Sequence, residues 1–230
     1  MIIFANKFRI MLERILPYET ELFYLINGHH HPWLDPIMWL LSNTILLIPL
    51  IVFLVIINKN KKDNQIILPL FFALAFVFLL GDFFSSTIIK PNIQRLRPTH
   101  YPGIQEYVLT VYDYVGKKFG FLSGHATNSI GFATFSSLLL RKKGYSWGIY
   151  IWALAVCYSR VYLGVHFISD LVAGSCLGLA IGWLVYKLYQ AYVCKVHPKN
   201  SSVQEKLING TVIFIFILLV ITTLKTEGLI

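Results

Sequence analysis

Long apolar runs separated by short polar segments dominate the chain. Six runs are long enough to cross a bilayer as helices, since a span needs about 20 mostly apolar residues and about 17 at the least. Isolated strands are excluded, because backbone polar groups in lipid must be bonded within a helix or a closed barrel. We therefore predict an all-α polytopic membrane bundle of about six transmembrane helices. The predicted spans cover approximately 37–57, 66–89, 123–140, 147–163, 168–189 and 208–224.

The first 26 residues follow a different pattern, in which apolar and charged side chains alternate at helical spacing. This pattern predicts an amphipathic helix lying in the membrane interface. A signal peptide is not expected, because charges interrupt every apolar stretch before it reaches the length of a signal core. We predict one domain over 1–230, with 1–36 as an interfacial N-terminal segment. The apolar positions of the first helix are Phe4, Phe8, Met11, Leu12 and Ile15.

The composition supports a membrane protein. The 230 residues are 56% hydrophobic and only 13% charged, whereas soluble domains carry about 25% charged residues. A net charge of +9 would suggest nucleic acid as a partner in a soluble chain. Here the basic residues lie mainly in short loops between apolar runs, and no nucleic-acid recognition motif accompanies them. We therefore expect the lipid bilayer, and no nucleic acid, as the partner of these charges.

The basic loops also predict the orientation of the chain. Segments 58–65, 141–146 and 190–206 are rich in lysine and arginine and follow alternate spans. Loops of this kind remain in the cytoplasm, so 90–122 and 164–167 face outward. The outward segment nevertheless carries several cations, for which topology gives no reason and which therefore suggest a functional role. They are Lys90, Arg95, Arg97, Lys117 and Lys118.

Three polar clusters lie at the predicted outer ends of the spans, at a common membrane depth where a helical bundle can bring them together. They are the segment from Lys90 to Pro98, the tripeptide Ser123-Gly124-His125, and Ser159-Arg160 with His166 and Asp170.

The first chemistry that these clusters suggest is phosphate binding. Lys90, Arg97 and Arg160 supply three cations, and guanidinium groups match phosphate oxygens bidentately. Ser123 and Gly124 lie where a helix is predicted to begin, which leaves backbone N–H groups free to point at an anion.

The second chemistry is nucleophilic catalysis. His166 and Asp170 are four residues apart and share one helix face, so the carboxylate can hold one ring nitrogen protonated while the other attacks phosphorus. His125 is then available as the general acid for the leaving oxygen. The outward segments contain no pair of carboxylates at short spacing. We therefore expect cations to replace a metal ion, and we predict neither a metal nor another cofactor.

Each of these residues has a structural alternative. The cations can be interfacial side chains that extend toward the headgroups, and His125 and His166 can be buried groups hydrogen-bonded between helices. Asp170 can simply complement the dipole at a helix start, and Ser159 either bonds locally or touches phosphate. The joint pattern favours the functional interpretation.

Three further features have uncertain roles. Asp82 lies in an apolar span about 12 Å below Lys90, and pairing that positions a neighbouring helix is favoured over catalysis. The run His29–His31 is interpreted as a solvated interfacial cluster and not as a metal site. The tyrosines of the outer segment are expected at headgroup level, with gating of the headgroup as the alternative. These tyrosines are Tyr101, Tyr107, Tyr112 and Tyr114.

The patterns Lys-x6-Arg-Pro, Ser-Gly-His and Ser-Arg-x5-His-x3-Asp, in this order, resemble the signature of the type 2 phosphatidic acid phosphatase superfamily. That superfamily includes lipid phosphate phosphatases and is related to vanadium-dependent haloperoxidases. It usually has proline before Ser-Gly-His, where this chain has Leu122. The resemblance implies a phosphohistidine on His166, orientation by Asp170, and His125 as the acid that later activates water. The implied phosphoryl ligands are Lys90, Arg97, Ser123, Gly124 and Arg160.

By this resemblance the expected activity is hydrolysis of a membrane lipid phosphate or diphosphate, without an obligatory protein partner. Undecaprenyl diphosphate and phosphatidylglycerol phosphate rank first as substrates on family habit, followed by phosphatidic acid and lipid A phosphate. A phosphotransferase with the same site and a non-enzymatic anion transporter are the alternatives. The expected location is the bacterial cytoplasmic membrane, with the site facing the periplasm or the cell exterior.

Overall fold

A computed structural model describes residues 2–42 and 67–196. The predicted span 208–224 lies outside these residues, and the span 37–57 is described only as far as residue 42. Helices account for most of the described chain, in which two short 3₁₀ turns occupy Pro98–His100 and Gln105–Tyr107. The helices are α1 (Ile2–Asn27), α2 (Asp35–Ser42), α3 (Ile67–Asp82), a π-helix (Phe83–Ile89), α4 (Lys90–Ile93), α5 (Gly124–Leu140), α6 (Lys143–Tyr162) and α7 (Ile168–Val196).

The expectation of a helical protein is confirmed over the described residues, where the only extended pairing is an antiparallel bridge between Leu96 and Phe119. Two continuous stretches, Pro69–Ile93 and Ile168–Val193, are long and apolar enough to cross a membrane. Helices α5 and α6 occupy the predicted spans 123–140 and 147–163. That they cross the bilayer, and that the total is six, stay predictions.

The end of α7 differs from the predicted boundary. The fifth predicted span ends near residue 189, whereas the helix continues to Val196. The helix extends past the predicted span because residues 190–196 contain no glycine or proline. Polar side chains do not end a helix by themselves, whereas Pro198 disfavours helical backbone at the residue before it.

Helices α5 and α7 form the centre of the bundle, and small residues let their backbones approach. A Cβ added at Gly178 would lie 2.5 Å from the carbonyl oxygen of Thr127, and one at Gly182 would lie 2.4 Å from that of Gly131. Glycine is therefore required wherever α7 crosses α5 at this distance. The Gly-x3-Gly spacing is a common means of packing apolar helices closely.

Helix α1 packs along the bundle through one face. Leu12 and Phe23 are buried on this face, and Phe8 and Ile15 are half-buried beside them. Met11, which the sequence grouped with these apolar positions, is exposed, because the stripe that meets the bundle runs through positions 12, 19, 23 and 27. The side chain of Phe4 lies outside the described residues. An interfacial location for α1 stays a prediction.

The three polar clusters meet at one end of the bundle. The N-terminus of α5, the C-terminus of α6 and the N-terminus of α7 lie there, and the backbone N–H of Ser123 donates to the carbonyl of Asp170 at 3.0 Å. The outer segment closes against itself, since the N–H of Gly120 donates to the carbonyl of Arg95 at 2.9 Å. These backbone bonds fix the positions from which the polar side chains extend.

Candidate active site

The side chains of His166 and Asp170 form the centre of the site. Nδ1 of His166 lies 3.2 Å from Oδ2 of Asp170, and the same oxygen accepts the backbone N–H of Phe167 at 3.1 Å. Both side chains are almost completely buried. Because a carboxylate only accepts, the ring carries its proton on Nδ1, and the lone pair of Nε2 is left available.

The electrostatic surroundings keep the His166 ring neutral. Burial lowers the pKa of its imidazole well below the usual value, and the guanidinium groups of Arg97 and Arg160 lower it further. A neutral imidazole with a fixed tautomer is the form that can act as a nucleophile.

Two of the cations around His166, Arg97 and Arg160, are anchored by neutral groups and not by carboxylates. Arg97 donates from Nε to the carbonyl of Phe119 at 3.2 Å and from Nη1 to that of Val165 at 3.1 Å. Burial, followed by the charge of Arg160, lowers the pKa of Arg97 to about 10. The charge of this guanidinium is therefore held in place without being neutralised, as a phosphate-binding group requires.

Arg160 is held in a similar way. Its Nη2 donates to the hydroxyl of Tyr114 at 3.4 Å, and its guanidinium lies 5.7 Å from the centre of that ring. The Nε atom is buried and has no hydrogen-bond partner within the part of the chain that the structure describes. A buried guanidinium with an unused donor is suited to an anionic ligand.

The N-terminus of α5 completes the anion-binding arrangement. The hydroxyl of Ser123 accepts the N–H of Ala126 at 3.4 Å as the helix cap, so the first N–H groups of the helix remain for a ligand. A Cβ on Gly124 would stand 3.1 Å from Oγ of Ser85 and 3.9 Å from Nζ of Lys90. The missing side chain therefore lets the Ser85 hydroxyl and the Lys90 ammonium approach the start of α5 closely.

The structure thus brings together all eight residues that the sequence singled out. His125, on the first turn of α5, is coupled electrostatically to Arg160 and His166, and its ring hydrogen-bonds the backbone of Ser42. Ser159 is different, because its hydroxyl is fully buried and donates to the carbonyl of Val156 at 2.7 Å. Of the two alternatives for Ser159, this is the local bond.

Asp82 stands closer to the site than its position along the helix suggested. It accepts a hydrogen bond from Nδ2 of Asn128 at 3.0 Å, which links α3 to α5. Its Oδ1 also lies 3.8 Å from the Cβ position of Gly124, the same point that Lys90 approaches to 3.9 Å. The separation of about 12 Å refers to the backbone, and the side chains of Asp82 and Lys90 both extend toward the start of α5.

The aromatic residues and histidines of the outer segments divide into packed and exposed groups. Tyr114 contacts Arg160 and so belongs to the site, whereas Tyr107 and Tyr112 are exposed. His30 stacks on Tyr162 with ring centres 4.3 Å apart and bonds the carbonyl of Tyr162 at 2.9 Å. His30 is therefore a packed residue, which the interpretation as a solvated cluster did not anticipate.

Two buried charges of the site were not recognised in the sequence as part of it. Arg95 donates to Oδ1 of Asp170 at 2.8 Å and to Glu19 of α1 at 2.5 Å. Arg95 stands two residues before Arg97, where it was noted only as one cation of a basic segment. Glu19 is one of several acidic residues in an amphipathic helix, and only its place on the buried stripe with Leu12 and Phe23 distinguishes it.

A helical membrane-type protein with an oriented histidine among phosphate-binding cations is the class that the fold and the site define. The model of the PAP2 superfamily matches residues 66–194, and the chain therefore belongs to that superfamily. The match includes the whole of the signature from Lys90 to Asp170, but not α1.

Proteins similar to the chain include the following two curated relatives and one solved structure. The lipid A 4'-phosphatase of Porphyromonas gingivalis is 40% identical over 181 residues, covering 77% of this chain and 75% of the relative. The undecaprenyl-diphosphatase of Sulfolobus acidocaldarius is 35% identical over 182 residues, covering 75% and 79%. The crystal structure of a transmembrane PAP2-type phosphatidylglycerolphosphate phosphatase from Bacillus subtilis matches with a TM-score of 0.61 at 22% identity, covering 83% of this chain and 96% of that one.

Proposed function

We propose that this protein is an integral membrane phosphatase that hydrolyses a lipid phosphate through a phosphohistidine on His166. The observation that carries the proposal is the hydrogen bond between Nδ1 of His166 and Asp170 at 3.2 Å. It leaves Nε2 of a neutral ring free among the cations of the site. In-line attack on phosphorus requires this combination of a free lone pair and a charge-neutralised phosphoryl group.

In the first step, Nε2 of His166 attacks phosphorus and the bond from phosphorus to the lipid oxygen breaks. His125 donates a proton to that oxygen, so the lipid leaves as an alcohol, or as a lipid phosphate where the substrate is a diphosphate. In the second step, His125 removes a proton from water, which attacks phosphorus and breaks the P–N bond. Inorganic phosphate leaves, and both histidines return to their starting states.

Lys90, Arg97 and Arg160 would hold the phosphoryl oxygens together with the hydroxyl of Ser123 and the backbone N–H of Gly124. Their fixed charges would stabilise the charge on the equatorial oxygens in the transition state, where such stabilisation is commonly the largest single contribution to rate. Asp170 would orient His166 and stabilise the ring when it becomes cationic in the phosphorylated state.

We further propose lipid A 4'-phosphate as the first substrate to test, because the relative with 40% identity is a lipid A 4'-phosphatase. Undecaprenyl diphosphate is the second, because another relative is an undecaprenyl-diphosphatase. The purified protein in detergent would be given these lipids, phosphatidylglycerol phosphate and phosphatidic acid, and phosphate release would be measured. The lipid with the highest kcat/KM identifies the preferred substrate, and no release from any lipid would refute hydrolysis.

The same assay separates the alternatives. A phosphotransferase would release little phosphate until an acceptor lipid is added, and it would then transfer label from the donor lipid to the acceptor. An anion transporter would break no P–O bond under either condition. A phosphatase releases phosphate with water as the only acceptor.

We also propose that the site faces the outside of a bacterial cytoplasmic membrane. The support is the basic segment 141–146, which lies between α5 and α6 at the end of the bundle opposite His166. A cysteine replacing the exposed Glu106 should react with a membrane-impermeant thiol reagent on intact cells, and one replacing the exposed Lys143 should not. The reverse labelling would refute this orientation.

A further inference from the structure

The carboxylate of Asp170 is shared between the catalytic centre and a buried ion-pair chain that begins in α1. Its Oδ2 faces His166, while its Oδ1 accepts from Nη1 of Arg95 at 2.8 Å. Nη2 of Arg95 in turn donates to Oε2 of Glu19 at 2.5 Å. The order of groups is therefore Glu19, Arg95, Asp170 and His166.

This chain of groups is removed from solvent along its whole length. The exposed fractions are 6% for Glu19, 2% for Arg95 and 0% for Asp170. Interactions between charges strengthen in such surroundings, and removing one partner leaves the other buried and uncompensated. The geometry of Asp170 is therefore tied to residues that do not touch the substrate site.

Additional contacts fix Glu19 in this position. Its Oε1 accepts the backbone N–H of Ser169 at 2.6 Å, and the hydroxyl of Ser169 accepts from Arg95 at 2.7 Å. Arg95 also stacks above the ring of Phe167 at 4.5 Å. Glu19 thus holds both the arginine and the first turn of α7, which carries Asp170.

We propose that Glu19 is a positioning residue for catalysis, which acts through Arg95 on the carboxylate that orients His166. The proposal rests on the function proposed above and adds a residue of α1, which lies outside the region matched by the family. The three signature patterns do not predict a role for Glu19, because the first of them begins only at Lys90 and Glu19 lies far before it in α1.

The charges explain why a carboxylate is needed at this place. Without Glu19, the positive charge of Arg95 would largely offset the negative charge of Asp170 while the His166 ring is neutral. Glu19 offsets the charge of Arg95, so the charge of Asp170 remains available to the ring. When His166 becomes a cationic phosphoimidazole, the positive and negative groups of the chain alternate and balance. The effect of Glu19 is therefore expected on turnover and not on substrate binding.

The test is Glu19→Gln, which keeps the shape and removes the charge. Its kcat should fall by about 10- to 100-fold, the range found when a metal-bound histidine or carboxylate loses its outer hydrogen-bonding partner, while KM stays close to that of the wild type. Glu21→Gln, at an exposed position of the same helix, is the matched control and should keep wild-type kinetics. Wild-type kcat in a folded Glu19→Gln protein would overturn the proposal.

A pH profile distinguishes positioning from a general loss of structure. Removing the Glu19 charge leaves the positive charge of Arg95 less compensated, so the pKa of His166 should fall. The acidic limb of the kcat/KM profile should therefore move to lower pH. An unchanged limb would contradict the electrostatic part of the proposal. The charged and titratable groups around His166 are Lys90, Arg95 and Arg97 from the outer segment, His125 from α5, Arg160 from α6, and Asp170 from α7.

Two further variants keep the proposal falsifiable. In an Asp170→Asn background, Glu19→Gln should lower kcat little further, because the carboxylate through which Glu19 acts is already gone. A purely structural role would instead lower kcat by the same factor with Asp170 and with Asn at this position. If Glu19→Gln does not fold, Glu19→Asp replaces it, because it keeps the charge and shortens the reach to Arg95. Its kcat should fall without a shift of the acidic limb, and wild-type kcat would overturn the proposal. Failure of the wild type to hydrolyse any lipid phosphate would instead refute the proposed function.

Discussion

Oδ2 of Asp170 lies 3.2 Å from Nδ1 of His166 and at the same time accepts the backbone N–H of Phe167. The turn that leads into α7 therefore holds the Asp170 carboxylate in place, and the carboxylate in turn orients the His166 ring. This arrangement determines which ring nitrogen faces the cations of the site.

The first prediction concerns this pair. His166→Ala removes the atom that would bond phosphorus, so phosphate release should fall to background. Asp170→Asn keeps the shape but loses the fixed tautomer and the stabilising charge. It should lower kcat by about 10³–10⁴-fold, as for other histidines that lose an orienting carboxylate. Lipid phosphate hydrolysis by His166→Ala at a wild-type rate would refute the nucleophile.

A second prediction follows from the charge around the ring. Arg97 lowers the pKa of His166, so Arg97→Gln should raise that pKa. The neutral nucleophile would then be lost at a higher pH on acidification, and the acidic limb of kcat/KM should move to higher pH. Lys118→Gln, at an exposed cation of the same outer segment, is the control and should not move it. A shift to lower pH in Arg97→Gln would contradict the prediction.

The sequence predicted the residues of the site better than it predicted the residues that hold them in place. His166 and Asp170 are paired in the sequence on the expectation that both lie on one helix, and this reason is wrong, because His166 precedes α7, which begins at Ile168. The two side chains nevertheless meet, since Asp170 lies in the first turn of α7 and its carboxylate also accepts the N–H of Phe167 in the preceding turn. The clusters at 90–98, 123–125 and 159–170 are expected to meet because they lie at one predicted membrane depth, and the structure brings them together at one end of the bundle.

Contacts between elements distant in sequence could not be predicted in this way. Glu19 and Arg95 are 76 residues apart, and no periodic pattern relates an interfacial helix to an outer loop. Asp82 and Lys90 lie at different positions along the helical segment, and their side chains, which differ in length, reach the same point beside Gly124. The sequence analysis did not single out the stripe of Gly174, Gly178 and Gly182, and its contact with α5 became apparent only from the packing.

The close packing of side chains around Gly124 gives a third prediction. In Gly124→Ala the new methyl group would stand 3.1 Å from Ser85 and 3.9 Å from the Lys90 ammonium, within the proposed phosphate site. KM for the lipid phosphate and the inhibition constant for vanadate should both rise, while the protein stays folded. Gly144→Ala, on the first turn of α6 with nothing within 4 Å, is the control. Equal vanadate inhibition in the wild type and Gly124→Ala would contradict this placement of the phosphate.

A fourth prediction concerns the packing of α5 against α7. Gly178→Ala places a methyl group 2.5 Å from the carbonyl oxygen of Thr127, so the helices must separate. The cost should be about 1–3 kcal/mol, the usual range for overpacking, and should appear as a lower midpoint of thermal unfolding in detergent. Gly148→Ala in α6 faces open space and should instead stabilise by about 0.5–1 kcal/mol. Equal midpoints for the two variants would contradict the close approach.

The last prediction is that turnover does not depend on a divalent metal ion. A phosphoryl group must be neutralised before a nucleophile can approach it, and this requires either a metal ion or fixed cations. Here Lys90, Arg97 and Arg160 surround His166 from the outer segment and α6. Over residues 2–42 and 67–196, no group of three histidine, cysteine or acidic side chains is placed to hold a metal ion. Phosphate release from the lipid substrate should therefore persist in excess EDTA, and added magnesium should not increase kcat. Loss of activity on chelation that magnesium restores would contradict the mechanism. Arg160→Gln should lower activity to the same extent with and without magnesium, since a cation from solution cannot occupy a position fixed by the helix.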